Sequence, residues 1–375
     1  MKPFNDPIYV TRPLLPPLED VNQELEEIWA SKQLTNNGPK LQKLEQEIGK
    51  LLNVPNISIF NNGTIALMVA INSLRLQGEV ITSPFTFPAT PHVLLWNEIT
   101  PVFCDIDEKS MTINAHNIEQ MITPRTTAIL WIHIYGNPCN VQQIRTLANH
   151  YGLKVIYDAA HAFHTAINGI SIGNFGDISM FSFHATKLFH TAEGGALTFQ
   201  DAMLKPRIAL LRNFGIKNEE EVVMLGINGK MNEIQAALGL INLRYIKTES
   251  EKRRKITDTY NKCLCDINGI LLNELPNNVT NSYQYYVIRI DQDKFGISRD
   301  ELYERLKEYN IFSRKYFYPL CSDYACYRQL PSADPNNLPI AKKVAKEVLC
   351  LPLYGDLDIS LVEKICEIIR GFKKY

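Results

Sequence analysis

The sequence predicts an α/β fold in which a doubly wound, mostly parallel sheet is flanked by helices. Between residues 57 and 211, short apolar runs alternate with segments of helical periodicity, a pattern typical of parallel strands joined by crossover helices. The chain has 375 residues, which is long enough for one large domain and a smaller one.

Composition and charge favour a globular protein that binds neither nucleic acid nor membranes. Apolar residues make up 45% of the chain, charged residues 21%, and the net charge is −1, whereas partners with anionic surfaces attract basic proteins. No apolar run approaches the roughly 20 residues that span a bilayer, and the N-terminus lacks the apolar core of a signal peptide. The eight cysteines form no CxxC pair, which is typical of reduced thiols. We therefore expect a cytoplasmic protein.

The first elements are helical. Residues 1–20 are rich in proline and predict an extended lead-in. A helix is predicted from about Leu18 to Ser31, because its apolar residues recur on one face. Turn residues at 34–39 separate it from a second amphipathic helix, Lys40–Leu52.

The central part carries the predicted sheet. Its strands are expected at Ile57–Phe60, Glu79–Thr82, Pro101–Asp105, Thr127–Ile134, Lys154–Tyr157, Ile178–Phe183 and Ala196–Phe199. Helices are expected after Thr64, at Val141–Tyr151 and at Ala202–Leu211. The run Thr127–Ile134 is almost wholly apolar, which favours a central strand covered on both faces.

The last third predicts a smaller unit of mixed structure. A glycine-rich loop, residues 226–230, leads into an amphipathic helix. Three further helices and a strand are expected at Thr248–Asn261, Ser282–Ile290 (the strand), Arg299–Tyr309 and Ser360–Phe372.

Two strands end in side chains suited to one cofactor. Asp158 follows Lys154–Tyr157, and Lys187 lies just beyond Ile178–Phe183, at the sheet edge where α/β proteins bind ligands. Taken singly, each is most simply a turn residue or a solvated charge. However, Lys187 lies in an aromatic and small-residue stretch that contains no other charge before Glu193. A lysine amine and an acid that holds a pyridine nitrogen protonated together suit pyridoxal phosphate (PLP).

Other candidate residues have simpler alternatives. Gly63 and Thr64 open a helix whose free N–H groups suit an anion, although such turns often only cap a helix. Phe87 lies in a proline-flanked turn and is either a ring-stacking residue or an ordinary half-buried aromatic. His161 and His164 have the spacing of metal ligands but lack a third ligand nearby, so a packed or capping histidine is the alternative.

The ordered motifs resemble one known family. They are Asp158-Ala159-Ala160-His161-Ala162, Gly176-Asp177, Ser182-Phe183-His184-Ala185-Thr186-Lys187 and Glu193-Gly194-Gly195-Ala196. This pattern is similar to that of the DegT/DnrJ/StrS family of PLP-dependent nucleotide-sugar aminotransferases, and the resemblance covers nearly the whole chain. It implies the fold-type-I aminotransferase fold with a smaller α+β C-terminal domain. We therefore expect residues 1–247 to form an N-terminal arm and the large PLP-binding domain, and residues 248–375 to form the small domain.

The resemblance also implies roles for individual residues. Lys187 is the catalytic residue that binds PLP covalently, and Asp158 contacts the pyridine nitrogen. The other cofactor-binding candidates are His161 at the ring and its hydroxyl, Phe87 stacked on the ring, and Gly63, Thr64 and Ser182 at the phosphate. Asn228, or second to it Lys230, is expected to reach the phosphate of a partner subunit in a homodimer with shared sites. Substrate contacts are expected from His184, in a supporting role, and from Arg314 and Tyr316.

The implied reaction is a transamination. L-glutamate gives its amino group, leaving 2-oxoglutarate and pyridoxamine phosphate, and the amine then passes to C4 of a dTDP-4-keto-6-deoxyhexose. The segment around Glu193-Gly194 resembles the branch that aminates C4, with dTDP-4-amino-4,6-dideoxyglucose as the expected product and lipopolysaccharide O-antigen biosynthesis as the expected setting. Alternatives are amination at C3 and a GDP- or UDP-linked sugar. Lys187 argues against the related 3-dehydrases, which carry histidine there, and together with Asp158 it argues against a regulatory relative that has lost catalysis.

Overall fold

The computed structural model describes residues 2–113 and 115–373. In chain order the strands are β1 (Ile8–Tyr9), β2 (Asn56–Phe60), β3 (Glu79–Thr82), β4 (Thr100–Phe103), β5 (Thr126–Ile132), β6 (Lys154–Asp158), β7 (Ala166–Ile167), β8 (Ile170–Ser171), β9 (Ile178–Ser182), β10 (Gly195–Phe199), β11 (Ile270–Leu272), β12 (Val279–Thr280), β13 (Tyr286–Ile290), β14 (Ile311–Phe312) and β15 (Val348–Leu351). The helices are α1 (Leu18–Ser31), α2 (Pro39–Leu52), α3 (Gly63–Ser73), α4 (Ala89–Trp96), α5 (Ala115–Gln120), α6 (Val141–Tyr151), α7 (Leu204–Leu211), α8 (Glu233–Leu264), α9 (Gln292–Phe295), α10 (Arg299–Lys307), α11 (Pro339–Glu347) and α12 (Ile359–Gly371).

The central sheet has the spatial order β2-β10-β9-β6-β5-β3-β4. Strands β4, β3, β5, β6 and β9 pair in parallel, whereas β10 runs antiparallel to both β9 and β2. Strands β3 and β10 are buried along their whole length, because helices cover both faces of the sheet. The predicted mostly parallel sheet is therefore confirmed.

The longest helix, α8, was predicted as two separate segments. It runs through 32 residues, which corresponds to about 48 Å. A capping box formed by Asn232 and Gln235 fixes its N-terminus. The helix continues through Gly239, where a Cβ would lie only 2.9 Å from Leu44 of α2. Close packing against α2 thus explains a glycine inside this helix.

A second, smaller core lies in the C-terminal part. The antiparallel sheet β11-β13-β15 packs with α10, α12 and the second half of α8. Buried residues of this core include Ile256, Tyr260, Leu264, Ile288, Leu302, Leu351, Val362 and Ile365. Ile8 joins the same core, because β1 pairs in parallel with β14. The N-terminal lead-in is thereby attached to the C-terminal part.

The predicted boundary at residues 247 and 248 falls inside α8. One core cluster also joins Trp131 and Phe103 of the central sheet to Val344 and Cys350 of the C-terminal part. Apolar packing is therefore continuous across that boundary, and the two-domain division stays a prediction.

The strand predicted over Ser282–Ile290 begins only at Tyr286. Within residues 282–285, Ser282 bonds to His161 and Gln284 bonds to Leu188 instead.

Residues 2–113 and 115–373 contain no helix that is both long enough and apolar enough to cross a membrane.

Candidate active site

A cavity of about 630 Å³ opens at the carboxyl ends of β6 and β9. Its lining combines strand-end residues, the first turn of α3, and aromatic side chains from the C-terminal part. Residues that line the cavity include Gly63, Thr64, Phe87, Asp158, His161, Ser182, His184, Thr186, Lys187, Glu193, Tyr285, Tyr316 and Phe317. The sheet topology therefore brings most of the predicted site residues into one place.

Asp158 ends β6 and is only 3% exposed. Thr90 Oγ1 donates a hydrogen bond to Oδ2 (2.8 Å), and the Ala160 N–H donates to Oδ1 (3.0 Å). Thr90 is itself buried and paired with the hydroxyl of Thr86 at 2.8 Å. Burial raises the pKa of Asp158, while these two hydrogen bonds and Lys187 act in the opposite direction. The carboxyl group is thus rigidly held in a place that disfavours its charge.

Lys187 lies in the loop that follows β9, and it lines the cavity. Its backbone N–H donates to the carbonyl of His184 at 2.9 Å. Its ammonium lies 5.8 Å from the centre of the Tyr285 ring. Burial lowers the pKa of Lys187 to about 8, although Asp158 acts to raise it. An amine with this pKa is available as a nucleophile and base near neutral pH.

His161 is buried and neutral. Its Nδ1 accepts a hydrogen bond from the Tyr135 N–H at 3.2 Å, so the ring hydrogen is on Nε2. Its ring stacks on Phe317 with centres 5.7 Å apart, and the Tyr285 ring lies nearly perpendicular to it with centres 5.1 Å apart. Burial, and secondarily Lys187, lowers the pKa of His161 well below its usual value.

The structure offers no support for a metal at His161 and His164. Within residues 2–113 and 115–373, no three His, Cys, Asp or Glu side chains are grouped so that they could hold a metal ion.

The first turn of α3 faces the end of β9. The Asn62 side chain accepts from the N–H of Ile65 and caps the helix. The N–H groups of Gly63 and Thr64 have no partner within the helix. Ser182 is adjacent, since a Cβ on Gly63 would lie 3.2 Å from its Cβ. A helix N-terminus with a neighbouring hydroxyl is suited to a phosphate group.

The rim of the cavity is aromatic and polar. Phe87 is 54% exposed and lines the cavity together with Tyr316. His184 Nδ1 lies 2.8 Å from Thr186 Oγ1, and its Nε2 lies 3.6 Å from Glu193 Oε1. His184 lies in the loop between β9 and β10, residues 183–194 (the lysine loop), which also contains Lys187. Its supporting role stays a prediction.

Three predicted residues lie outside this cavity within the described part of the chain. Lys230 Nζ donates to Asn213 Oδ1 at 2.7 Å, and the backbone of Asn228 forms a bridge with that of Asn213. Arg314 is exposed, and its backbone pairs with Cys350.

The structure also adds residues that the sequence did not indicate. Thr90 holds Asp158, Tyr285 and Phe317 flank Lys187 and His161, and Gln284 contacts the lysine loop. None belongs to a recognisable motif. The one available signal was the position of Thr90, which follows the proline-flanked turn after β3 and lies at the start of α4.

Comparison with known proteins agrees with this geometry. Residues 18–370 match the model of the DegT/DnrJ/EryC1/StrS aminotransferase family. The dTDP-4-amino-4,6-dideoxy-D-glucose transaminase of Escherichia coli is 48% identical over 369 residues, covering 97% of this chain and 98% of that protein. The protein of the same name from Shigella dysenteriae is 45% identical over 368 residues, covering 98% and 99%. The crystal structure of DesI in the presence of its TDP-sugar product superposes with a TM-score of 0.94 at 34% identity, covering 99% of this chain and 94% of that one.

Proposed function

The chain belongs to the DegT/DnrJ/EryC1/StrS aminotransferase family, and from this premise we propose that it is a PLP-dependent transaminase acting on a dTDP-linked 4-keto-6-deoxyhexose. L-glutamate is the amino donor, C4 of the sugar is the acceptor, and dTDP-4-amino-4,6-dideoxyglucose is the product. The observation that carries the proposal is the pairing, in one cavity, of buried Asp158 with a lysine whose pKa is lowered to about 8.

The residues present fit PLP. Its pyridine nitrogen, aldehyde and phosphate require an acid, an amine and an anion site, and the cavity lining contains all three. Asp158 gives the strongest argument for this fit. A buried carboxylate with a raised pKa is stabilised by a cation placed against it. Bound PLP supplies an electron sink that stabilises negative charge on the carbon bearing the amine.

The chain's own residues orient and move protons. Asp158, fixed by Thr90, holds a proton on the pyridine nitrogen, and the first turn of α3 with Ser182 binds the phosphate. The Nε2–H of neutral His161 would be available to donate to the ring hydroxyl. Lys187 would hold the cofactor's aldehyde carbon through Nζ. As general acid and base, the same amine would carry the transferred proton, a role for which a pKa of about 8 is suited.

The choice of sugar rests on the relatives. The two transaminases named for dTDP-4-amino-4,6-dideoxy-D-glucose share 45% to 48% of their residues with this chain over nearly its whole length. The segment Glu193-Gly194-Gly195, whose first residue lines the cavity, supports amination at C4. Amination at C3 and the use of a GDP- or UDP-linked sugar are the alternatives that the experiment must separate.

A homodimer with shared sites belongs to the proposal. Asn228 and Lys230 do not line the cavity of their own chain, and they lie next to a surface with exposed apolar residues. These are Phe214, Ile216, Val222, Val223 and Leu225, which are between 39% and 89% exposed. A cluster of this kind is typical of a protein interface. A second copy seated there would bring Asn228 to the partner's cavity.

The test starts with absorption. Purified protein with added PLP is expected to show the visible band of lysine-bound cofactor, and L-glutamate is expected to bleach it. Lys187→Ala should lose both effects, whereas Lys50→Ala, which removes an exposed lysine of α2, should lose neither.

The second step identifies the product. Bleached enzyme is mixed with dTDP-4-keto-6-deoxyglucose, and the product is identified by mass spectrometry and NMR as the 4-amino sugar. GDP- and UDP-linked 4-keto sugars and dTDP-3-keto sugars are run in parallel. A faster reaction with any of these would replace the proposed substrate. Absence of any change with glutamate would reject it as the amino donor, and absence of a change with every amino donor would reject transamination.

A further inference from the structure

We infer that Gln284 is a positioning residue that fixes the backbone on both sides of Lys187. The inference rests on the proposed function, because it concerns the lysine that carries the chemistry. Gln284 comes from a different part of the chain than Lys187, on the segment that leads into β13.

The Gln284 side chain forms hydrogen bonds with the peptide groups on both sides of Lys187. Its Oε1 accepts a hydrogen bond from the N–H of Leu188 at 2.8 Å, and its Nε2 donates to the carbonyl of Thr186 at 3.0 Å. The side chain is 2% exposed, so water does not compete for either bond. A primary amide is suited to this place because it offers one acceptor and one donor at its two ends.

The lysine loop needs such support. Lys187 lies beyond the last residue of β9, and a lysine side chain has several rotatable bonds. The position of its amine therefore depends on how firmly its Cα is held. Displacement of a reacting group by about 1 Å can cost roughly a hundredfold in rate, so a clamp on both flanking peptides acts directly on catalysis.

The neighbours of Gln284 act on the same site. Ser282 Oγ donates to the carbonyl of His161 at 2.7 Å, and the Tyr285 ring lies beside both Lys187 and His161. Tyr283 lies between Ser282 and Gln284 in the chain and has a φ of +50°. This left-handed backbone conformation costs free energy for a residue with a side chain. The Tyr283 N–H bonds to the Asn281 side chain at 2.7 Å. This strained turn lets Ser282, Gln284 and Tyr285 all reach the site.

Two substitutions separate positioning from mere stabilisation. Gln284→Met keeps the length of the side chain but makes neither bond. We expect its single-turnover rate with L-glutamate to fall by about 10- to 100-fold, with the KM for glutamate changed less than about threefold. Gln284→Glu should show a pH-dependent rescue: the protonated carboxyl donates to Thr186 and accepts from Leu188, whereas the ionised form loses the donor. Its rate relative to wild type should therefore fall as pH rises.

A readout without activity accompanies these rates. In cofactor-free protein, hydrogen exchange of the peptide covering residues 183–191 should become at least about tenfold faster in Gln284→Met, because the Leu188 N–H loses its partner. Asn56→Leu is the control, since Asn56 Nδ2 bonds to the carbonyls of Phe199 and Gln200 far from the cavity. It should lower stability without changing either the rate or the exchange of residues 183–191.

The outcomes are distinct. Unchanged exchange of residues 183–191 in Gln284→Met overturns the inference, and so does a wild-type rate at every pH in both Gln284 variants. If wild type does not react with glutamate, the proposed function fails, and the exchange experiment still decides the role of Gln284. If Gln284→Met does not fold, the pH profile of Gln284→Glu decides instead.

Discussion

Burial shifts the pKa values of Lys187 and Asp158 in the ligand-free protein. Burial lowers the pKa of Lys187 to about 8 and raises that of Asp158, so the cavity disfavours the charge of each. One pKa unit corresponds to about 1.4 kcal/mol, and groups shifted in this way gather at functional sites. Binding of the proposed cofactor would relieve this cost, because it would place a protonated ring nitrogen against Asp158 and a covalent bond on the lysine amine.

This cost predicts that the cofactor-free protein becomes more stable when Lys187 is replaced by Met. Below pH 8 the lysine is charged in both the folded and the unfolded state, so wild type carries the full burial penalty. Between pH 8 and about 10.5 only the unfolded state holds the proton, and wild-type stability therefore rises with pH relative to the variant. Lys187→Met should be more stable by up to about 3 kcal/mol at pH 7, with the advantage vanishing near pH 10.5.

Urea unfolding at pH 7, 8, 9 and 10 measures this difference. Lys50→Met, at an exposed position that pairs with Glu47, should stay within about 0.5 kcal/mol of wild type at each pH. A Lys187→Met protein that is no more stable than wild type at pH 7 would contradict the argument.

At the scale of single residues, the sequence indicates those that directly follow strands, but it does not indicate the residues that form hydrogen bonds to them. Asp158 and Lys187 are recognisable because each follows an apolar run and because the stretch around Lys187 contains no other charge before Glu193. Thr90 bonds to Asp158 across 68 residues of chain, and Gln284 bonds to Leu188 across 96. Ordinary polar residues acquire these roles through long-range contacts, which no local pattern encodes.

At the scale of elements, the first turn of α3, which is the proposed phosphate site, depends on a close approach by β10. Gly195 pairs with Phe60 on one side and with Ser182 on the other. A Cβ on Gly195 would lie 2.7 Å from both the nitrogen and the Cα of Gly63. Because these contacts are with backbone, no side chain can rotate away, and the first turn of α3 would have to move.

Gly195→Ala should therefore weaken PLP binding by about tenfold or more, which is roughly 1.4 kcal/mol. Titration of cofactor-free protein with PLP, followed by absorption, measures the Kd. Gly49→Ala is the matched control, because its Cβ would make an ordinary 3.5 Å contact with Ile57. Inside α2 that change should stabilise the protein by up to about 1 kcal/mol and leave the Kd unchanged. A folded Gly195→Ala protein with wild-type affinity would refute the role assigned to this approach.

Elements were predicted well where periodicity and turns agreed, as for α1 and α6, and poorly where proline or glycine misled. Helix α4 was not predicted, because Pro88 and Pro91 argue against a helix. The structure has Pro88 at the N-cap and Pro91 in the first turn, where a missing N–H costs nothing. Similarly, α8 continues through Gly239 because tertiary packing outweighs the low helix propensity of glycine.

At the scale of the molecule, distant parts of the chain meet around the lysine loop. The carbonyl of Val10 accepts from the N–H of Leu353, and the carbonyl of Leu14 lies 2.7 Å from His190 Nε2. The N-terminal arm thus connects the C-terminal sheet to the loop that carries Lys187. Contacts of such high sequence separation are beyond prediction from local patterns.

The shared active site is the prediction that belongs to the whole assembly. If Asn228 serves the partner's cavity, a heterodimer of Lys187→Ala and Asn228→Leu subunits has one site with both lesions and one site with neither. Random mixing of two inactive variants then gives half heterodimers, each with one intact site, so activity should recover to roughly a quarter of wild type. Asp158→Asn mixed with Lys187→Ala is the control, because both residues line the cavity of one chain and every heterodimer site keeps one lesion. Recovery of activity in the first mixture alone supports sharing. Recovery in neither mixture contradicts it, because Asn228 would then act within its own subunit. Full activity of Asn228→Leu by itself also contradicts it, because Asn228 would then have no role at the phosphate.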